Sequence, residues 1–182
     1  ERNTSSLVYM VDDLIKKSNN KNSGFYLNNL DELSINLKSQ ISNTRSKILL
    51  IGVTFALLDF AEQFPMDLSN VIIMETGGMK GRREEMTREE VHAILTKAFN
   101  IESIHSEYGM TELLSQGYSK GNGIFEVPYW TKILKRDIYD PFNISTNIGR
   151  GGLNIIDLAN IYSCAFIATQ DLVNIKNETE FE

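Results

Sequence analysis

The sequence predicts an α/β fold, a mainly parallel sheet with flanking helices followed by a small antiparallel β portion. Three observations point there. Ile48–Ile51 and Val71–Met74 are continuous apolar runs, the first reading as a strand buried on both faces of a parallel sheet, and Ile101–Ile104 enter a third strand that ends in a Gly-containing turn. Segments of helical periodicity alternate with these runs, and repeated strand–helix alternation builds a parallel layer. Beyond Gln116 the helical pattern stops and alternating segments punctuated by glycine take over. The expected division therefore places an α/β part over 1–122 and an antiparallel part over 123–182.

In order along the chain, Ser5 and Ser6 precede Leu7, Met10, Val11, Leu14 and Ile15, the spacing of a helix with one apolar face. Lys16–Gly24 is a polar breaker, and Asp31 is expected to cap a second helix carrying Leu33, Leu37 and Ile41. Thr54 starts the helix after the first strand, Leu57, Leu58, Ala61 and Phe64 form its inner stripe, and Pro65 ends it. The second strand runs into Glu75-Thr76-Gly77-Gly78. Thr87 and Glu90 form a capping box before Val91, and Ile94, Leu95, Ala98 and Phe99 continue a buried face that Asn100 closes. His92 falls on the exposed side of that helix. In the tail, Val127–Ile133 alternates, Asp140-Pro141 is a turn, and Leu153–Leu158 and Ala165–Ala168 read as strands.

Composition narrows the function classes. The chain has 182 residues, enough for one domain with at most a small appendage. Its formal net charge of -6 argues against a nucleic-acid partner, because phosphate backbones want clustered Lys and Arg. The densest basic group, Lys80-Gly81-Arg82-Arg83, is followed at once by Glu84-Glu85 and reads as a solvated loop. No secretory signal is visible. The longest apolar stretch, Ile48 to Phe60, is interrupted by Gly52, Thr54 and Asp59 and falls short of the roughly 20 residues of a membrane span. A single cysteine, Cys164, precludes an intrachain disulfide and fits a reducing compartment, so a cytoplasmic location is expected. The chain opens on Glu1 rather than Met and reads as a piece of a longer protein.

Chemistry-bearing residues concentrate in Ile104–Glu112. The strand expected there feeds a Gly-containing turn, a junction that binds ligands in open α/β sheets. The residue types suit a nucleoside triphosphate. Tyr108 offers a flat face for a base, Gly109 a close backbone approach, Thr111 a hydroxyl for a phosphate oxygen and Glu112 a carboxylate for Mg²⁺. The plainer alternative is a β-to-α turn with Thr111 as helix N-cap and Glu112 complementing the helix dipole. At Gly77-Gly78 two readings also stand: a backbone bared for a flat ring, or a loop that needs positive φ. No G-x-x-x-x-G-K-[ST] loop is present.

Tyr108-Gly109-Met110-Thr111-Glu112 resembles the core motif of the adenylate-forming superfamily, which includes acyl-CoA and aryl-CoA ligases, luciferases and peptide-synthetase adenylation domains. The longer string His105–Gln116, H-S-E-Y-G-M-T-E-L-L-S-Q, is more similar to one branch, the acyl-protein synthetases of bacterial bioluminescence. Gly52–Phe60 and Asp157–Asp171 carry the same resemblance, which extends over nearly the whole chain.

The resemblance implies that Gly77, Gly78, Tyr108, Gly109, Met110 and Thr111 contact ATP, that Asp171 of Thr169-Gln170-Asp171, at a strand end, accepts hydrogen bonds from the ribose hydroxyls, with a plain turn aspartate as the alternative reading, and that Glu112 holds Mg²⁺. Thr111 and Glu112 would be the catalytic residues. It further implies that the strand and helix around Phe55, Leu58 and Phe60 wall an acyl site, for which plain core packing is the alternative reading. Two departures stand out: Met79 and Lys80 replace a small residue and proline, and Gln170 occupies a glycine position. The Ser/Thr/Gly phosphate loop closed by lysine and the lysine-bearing C-terminal domain of the superfamily have no counterpart in these residues. On this reading 1–122 is part of a nucleotide-binding subdomain and 123–182 carries the ribose-binding aspartate.

The implied reaction activates a carboxylic acid, most simply a fatty acid, as acyl-AMP and passes the acyl group to a thiol, on a protein cysteine or CoA. Cys164 is assigned no part in it and reads as a small core residue. The alternatives are an acyl- or aryl-CoA ligase, a nucleotide-binding module of the same fold without catalysis, and a structural α/β domain with chance motifs.

Overall fold

The computed structural model of the protein describes residues 5–43, 47–79 and 81–182. Two compact units are present, Glu1–Lys47 and Ile48–Glu182. Among its described residues the first holds two helices, α1 (Ser6–Ser18) and α2 (Leu30–Asn43). Ser5 is the N-cap of α1, although its hydroxyl makes no cap bond. Helix α2 begins one residue before Asp31, which lies in the first turn, where its charge complements the helix dipole.

The second unit is built on one sheet. Strand β1 (Ile48–Val53) leads into helix α3 (Thr54–Gln63), and β2 (Val71–Thr76) precedes helix α4 (Arg88–Phe99) and β3 (His105–Tyr108). Then come β4 (Gly117–Ser119), β5 (Phe125–Glu126), β6 (Thr131–Arg136), β7 (Ile144–Ser145), β8 (Gly149–Asp157), β9 (Phe166–Ile175) and β10 (Glu180–Phe181). Their order in the sheet is β1-β2-β3-β4-β5-β10-β9-β8-β6-β7. Among the described residues only β1·β2 and β2·β3 are parallel; the other seven pairings are antiparallel.

This corrects the expected fold class. The strand–helix alternation does place β1, β2 and β3 in parallel, but these form one end of a mixed, mainly antiparallel ten-stranded sheet. The antiparallel tail is the continuation of that sheet rather than a small appended portion. The physical reason lies at β3. The segment after it returns directly as β4, with Tyr108 opposite Gly117, and so pairs antiparallel without a crossover helix. Among the described residues of this unit only α3 and α4 are available to cover the parallel strands. Strand β1 is accordingly an edge strand with Leu49 exposed, not a strand buried on both faces.

The sheet also curls. Strands β3 and β9 are four positions apart, about 19 Å in a flat sheet, yet Tyr108 of β3 bonds to Asp171 of β9. The short strands β4, β5 and β10 form the bend between them. Phe125, Ile133, Leu153, Ile155, Val173, Ile175 and Phe181 fill the resulting core, with Tyr108 and Met110 packed against it. Phe60 packs against Phe64 and Phe99 with tilted rings, joining α3 to α4. Leu58 and Phe60 are buried, whereas Phe55 is half-buried beneath the Arg82 guanidinium.

Loop residues 81–83 are also tied down rather than simply solvated. Arg83 bonds Asp59 at 2.5 Å and Glu62 at 2.7 Å. Lys80 lies outside the described residues.

Candidate functional site

Because β1, β2 and β3 are parallel and in register, with Val53 opposite Thr76 and Thr76 opposite Glu107, their carboxyl ends open on one edge. Thr54, the first residue of α3, donates its hydroxyl to Glu75 Oε2 at 2.8 Å and to the Gly77 carbonyl at 3.2 Å. Thr76 donates to the Glu107 carboxylate. Gly77 has φ of 71°, a conformation that a side chain disfavours, while a Cβ at Gly78 would meet open space. The turn therefore needs positive φ at Gly77, and no heavy atom crowds the backbone at Gly78.

The Tyr108–Glu112 motif leaves the end of β3 as an eight-residue connection to β4, and no helix follows it. Thr111 is therefore not a helix N-cap. Gly109 is hemmed by its neighbour, since a Cβ there would lie 2.6 Å from Glu107 Oε1. Met110 turns inward onto the apolar core. Thr111 and Glu112 are exposed at the tip, and the Glu112 carboxylate has no partner among the described residues.

Tyr108 is half-buried, with its ring edge-to-face against Phe181 and Phe125. Its hydroxyl donates to Asp171 Oδ2 at 2.5 Å, bridging residues 63 apart in sequence. Burial first, then the bonded Asp171 carboxylate, pushes the phenol well above its ordinary range, so the tyrosine remains the proton donor.

Asp171 does not sit at a strand end. Between the pairs Gly152↔Leu172 and Asn154↔Ala168, three residues of β9 face the single Leu153 of β8, so Thr169-Gln170-Asp171 forms a bulge. The Thr169 hydroxyl donates to the Leu153 carbonyl and accepts the Asp171 N–H, while Arg136 holds the Thr169 carbonyl. Gln170 is not in a positive-φ conformation, so the bulge takes glutamine where the resembled motif has glycine.

Several polar residues here were missed in the sequence. Glu75 is buried on β2. Its carboxylate faces His92 of α4 at 3.8 Å, and His92 Nε2 lies 3.4 Å from the Ser106 hydroxyl. His92 is thus partly buried against the sheet rather than on the exposed side of its helix. Burial alone would raise Glu75; contacts with His92, Ser106 and Thr54 outweigh it and hold the carboxyl below its ordinary range. Both Ser106 and Glu75 approach the same ring nitrogen, so this is not a nucleophile–base–acid relay, which needs both ring nitrogens.

Asp157 and Asn160, both buried, were also missed; they bond to the segment that follows Thr111. Burial would raise Asp157, but the Ser115 hydroxyl and the N–H groups of Ser115, Ala159 and Leu114 hold it below the usual carboxylate range. The only sequence sign of them is two polar residues set within the largely apolar stretch Leu153–Ile161.

Among the described residues no group of three or more His, Cys, Asp or Glu could hold a metal. Mg²⁺ does not require one, because it takes one or two carboxylates and completes its shell with water and substrate phosphates. An exposed, unpartnered Glu112 fits that donor set. Cys164 is exposed rather than a core residue. No helix among the described residues is long and apolar enough to cross a membrane. No family model matches the chain, and no curated protein matches it.

Proposed function

We propose that this chain is part of an ATP-dependent acyl-activating enzyme, similar to the acyl-protein synthetases. One observation carries the reading. Tyr108 of Y-G-M-T-E and Asp171 of T-Q-D, the two motifs that resemble the adenylate-forming superfamily, meet at 2.5 Å beside the carboxyl ends of three parallel strands. Chance motifs have no reason to converge across four strand positions.

In this reading the base lies near Tyr108 and the Gly77-Gly78 turn, whose backbone is open at Gly78. Asp171 exchanges the tyrosine hydroxyl for ribose hydroxyls; an ionised carboxylate suits the task because it only accepts. Thr111 donates to a phosphate oxygen. Glu112 would hold Mg²⁺, which supplies positive charge where negative charge gathers on the phosphate oxygens. A carboxylic acid attacks the α-phosphorus, the bond to pyrophosphate breaks, and acyl-AMP and pyrophosphate form. The acyl group then moves to a thiol and AMP leaves. Catalysis on this scheme is alignment and electrostatic complementarity, with no covalent bond to the chain in the first step.

The test is pyrophosphate exchange into ATP by the whole protein that carries this chain. Exchange that depends on both MgATP and a fatty acid is expected. MgATP binding without exchange would replace the proposal with a nucleotide-binding module. The absence of both would reduce the motifs to chance.

A further inference from the structure

We propose that Asp157, the last residue of β8, and Asn160, in the connection from β8 to β9, are positioning residues that set the Thr111–Glu112 loop for the triphosphate; this rests on the acyl-activation reading above. The segment 109–116 contains no helix or strand, and its own geometry is fixed only by one turn, in which Leu113 N–H donates to the Met110 carbonyl at 3.1 Å. A connection of that kind has many conformers, and ordering it costs about 1–2 kcal/mol per residue.

The order comes from residues more than forty positions later. Asp157 Oδ2 accepts the N–H groups of Leu114 at 3.0 Å and Ser115 at 2.9 Å. Its Oδ1 accepts the Ser115 hydroxyl at 2.7 Å and the Ala159 N–H at 3.1 Å. Asn160 Nδ2 donates to the Glu112 carbonyl at 2.7 Å and to the Cys164 carbonyl at 3.0 Å. Trp130 completes the set by donating its indole N–H to Ser115 Oγ at 2.8 Å.

Main-chain groups of Glu112, Leu114 and Ser115 are therefore gripped from one side, and Met110 is held from the other by the apolar core. Thr111 and the Glu112 carboxylate, the exposed groups between these anchors, are left untouched. That division separates positioning from chemistry: buried groups fix where the loop stands, and the side chains facing solvent stay free for phosphate and ion.

The test compares the parent protein with Asp157→Asn and Asn160→Asp. The first keeps the shape but replaces one accepting oxygen with a donor. The second turns the donor to the Glu112 carbonyl into a carboxylate. Amide hydrogen exchange at Leu114 and Ser115 is read against β8 and β9 amides, beside the kinetics of acid-dependent pyrophosphate exchange. In Asp157→Asn the two loop amides should exchange about tenfold faster, the factor that accompanies one lost buried hydrogen bond, with β8 and β9 unchanged. In both variants kcat should fall about 10–100-fold, the range seen when groups supporting an ion site are lost, while KM for the acid stays as in the parent.

Unaltered loop exchange in Asp157→Asn, or a kcat loss no greater than the loss of folded protein, would overturn the proposal. If Asp157→Asn does not fold, Asn160→Asp carries the test through kcat. An inactive parent overturns the acyl-activation reading, and this proposal with it; an active parent with unaltered variants overturns the proposal alone.

Discussion

Asp171 and Glu112 differ in how they are held. The Asp171 carboxylate is aimed by a bulge and already accepts the Tyr108 hydroxyl. Losing charge-assisted bonds to a sugar costs about 1.5–3 kcal/mol, so Asp171→Ala should weaken ATP binding by about one to two decades. In titrations, removing the ribose 2′-hydroxyl should cost the variant less than the parent; equal losses would mean that Asp171 does not touch the sugar. Glu112, by contrast, is exposed and tied only through its main chain. Glu112→Gln keeps the size and removes the charge, so the melting temperature should stay within a degree or two of the parent, as exposed substitutions usually leave it. The Mg²⁺ concentration for half-maximal pyrophosphate exchange should rise. An unaltered Mg²⁺ requirement would remove Glu112 from the ion site.

At the scale of elements, legibility followed locality. Helix α4 begins at the capping box expected from Thr87 and Glu90, with both reciprocal bonds present, and ends at Asn100 in the left-handed conformation. These signals lie within a few residues of what they control. Thr87→Ala should therefore cost about 1 kcal/mol in urea unfolding, with no change in nucleotide binding; a larger cost would show that Thr87 serves more than its helix end. His92 on the same helix was misjudged, because the partner that buries its ring is Glu75 on β2, and helical periodicity says nothing about a polar partner on a sheet. The β9 bulge was equally invisible: Thr169-Gln170-Asp171 reads as a strand-end turn until the single residue Leu153 is known to stand opposite.

For the whole molecule, buried carboxylates link stability to pH. Glu75 and Asp157 are both held below their ordinary values in the folded state. The unfolded chain binds their protons first as pH falls, so their stabilisation is complete above about pH 4–5 and is lost as pH drops through the folded-state values. Asp157→Asn should be less stable than the parent at neutral pH but lose less on acidification, measured by urea unfolding at stepped pH. Parallel stability curves for the two would show that the Asp157 carboxylate is not part of the acid response.

Neighbouring residues carry the local devices: the starts and stops of α3 and α4 and the parallel order of the first three strands. Only the tertiary structure decided that the sheet runs on as mainly antiparallel strands and curls until Tyr108 reaches Asp171. Strands β5, β7 and β10 span two residues each, too short to carry a period, and their pairing is set by the core they close. Asp157 and Asn160 likewise acquire a role only when that closure brings them against Glu112, Leu114 and Ser115. Local propensity is written in neighbouring residues, whereas a meeting of distant side chains depends on curvature that no single segment encodes.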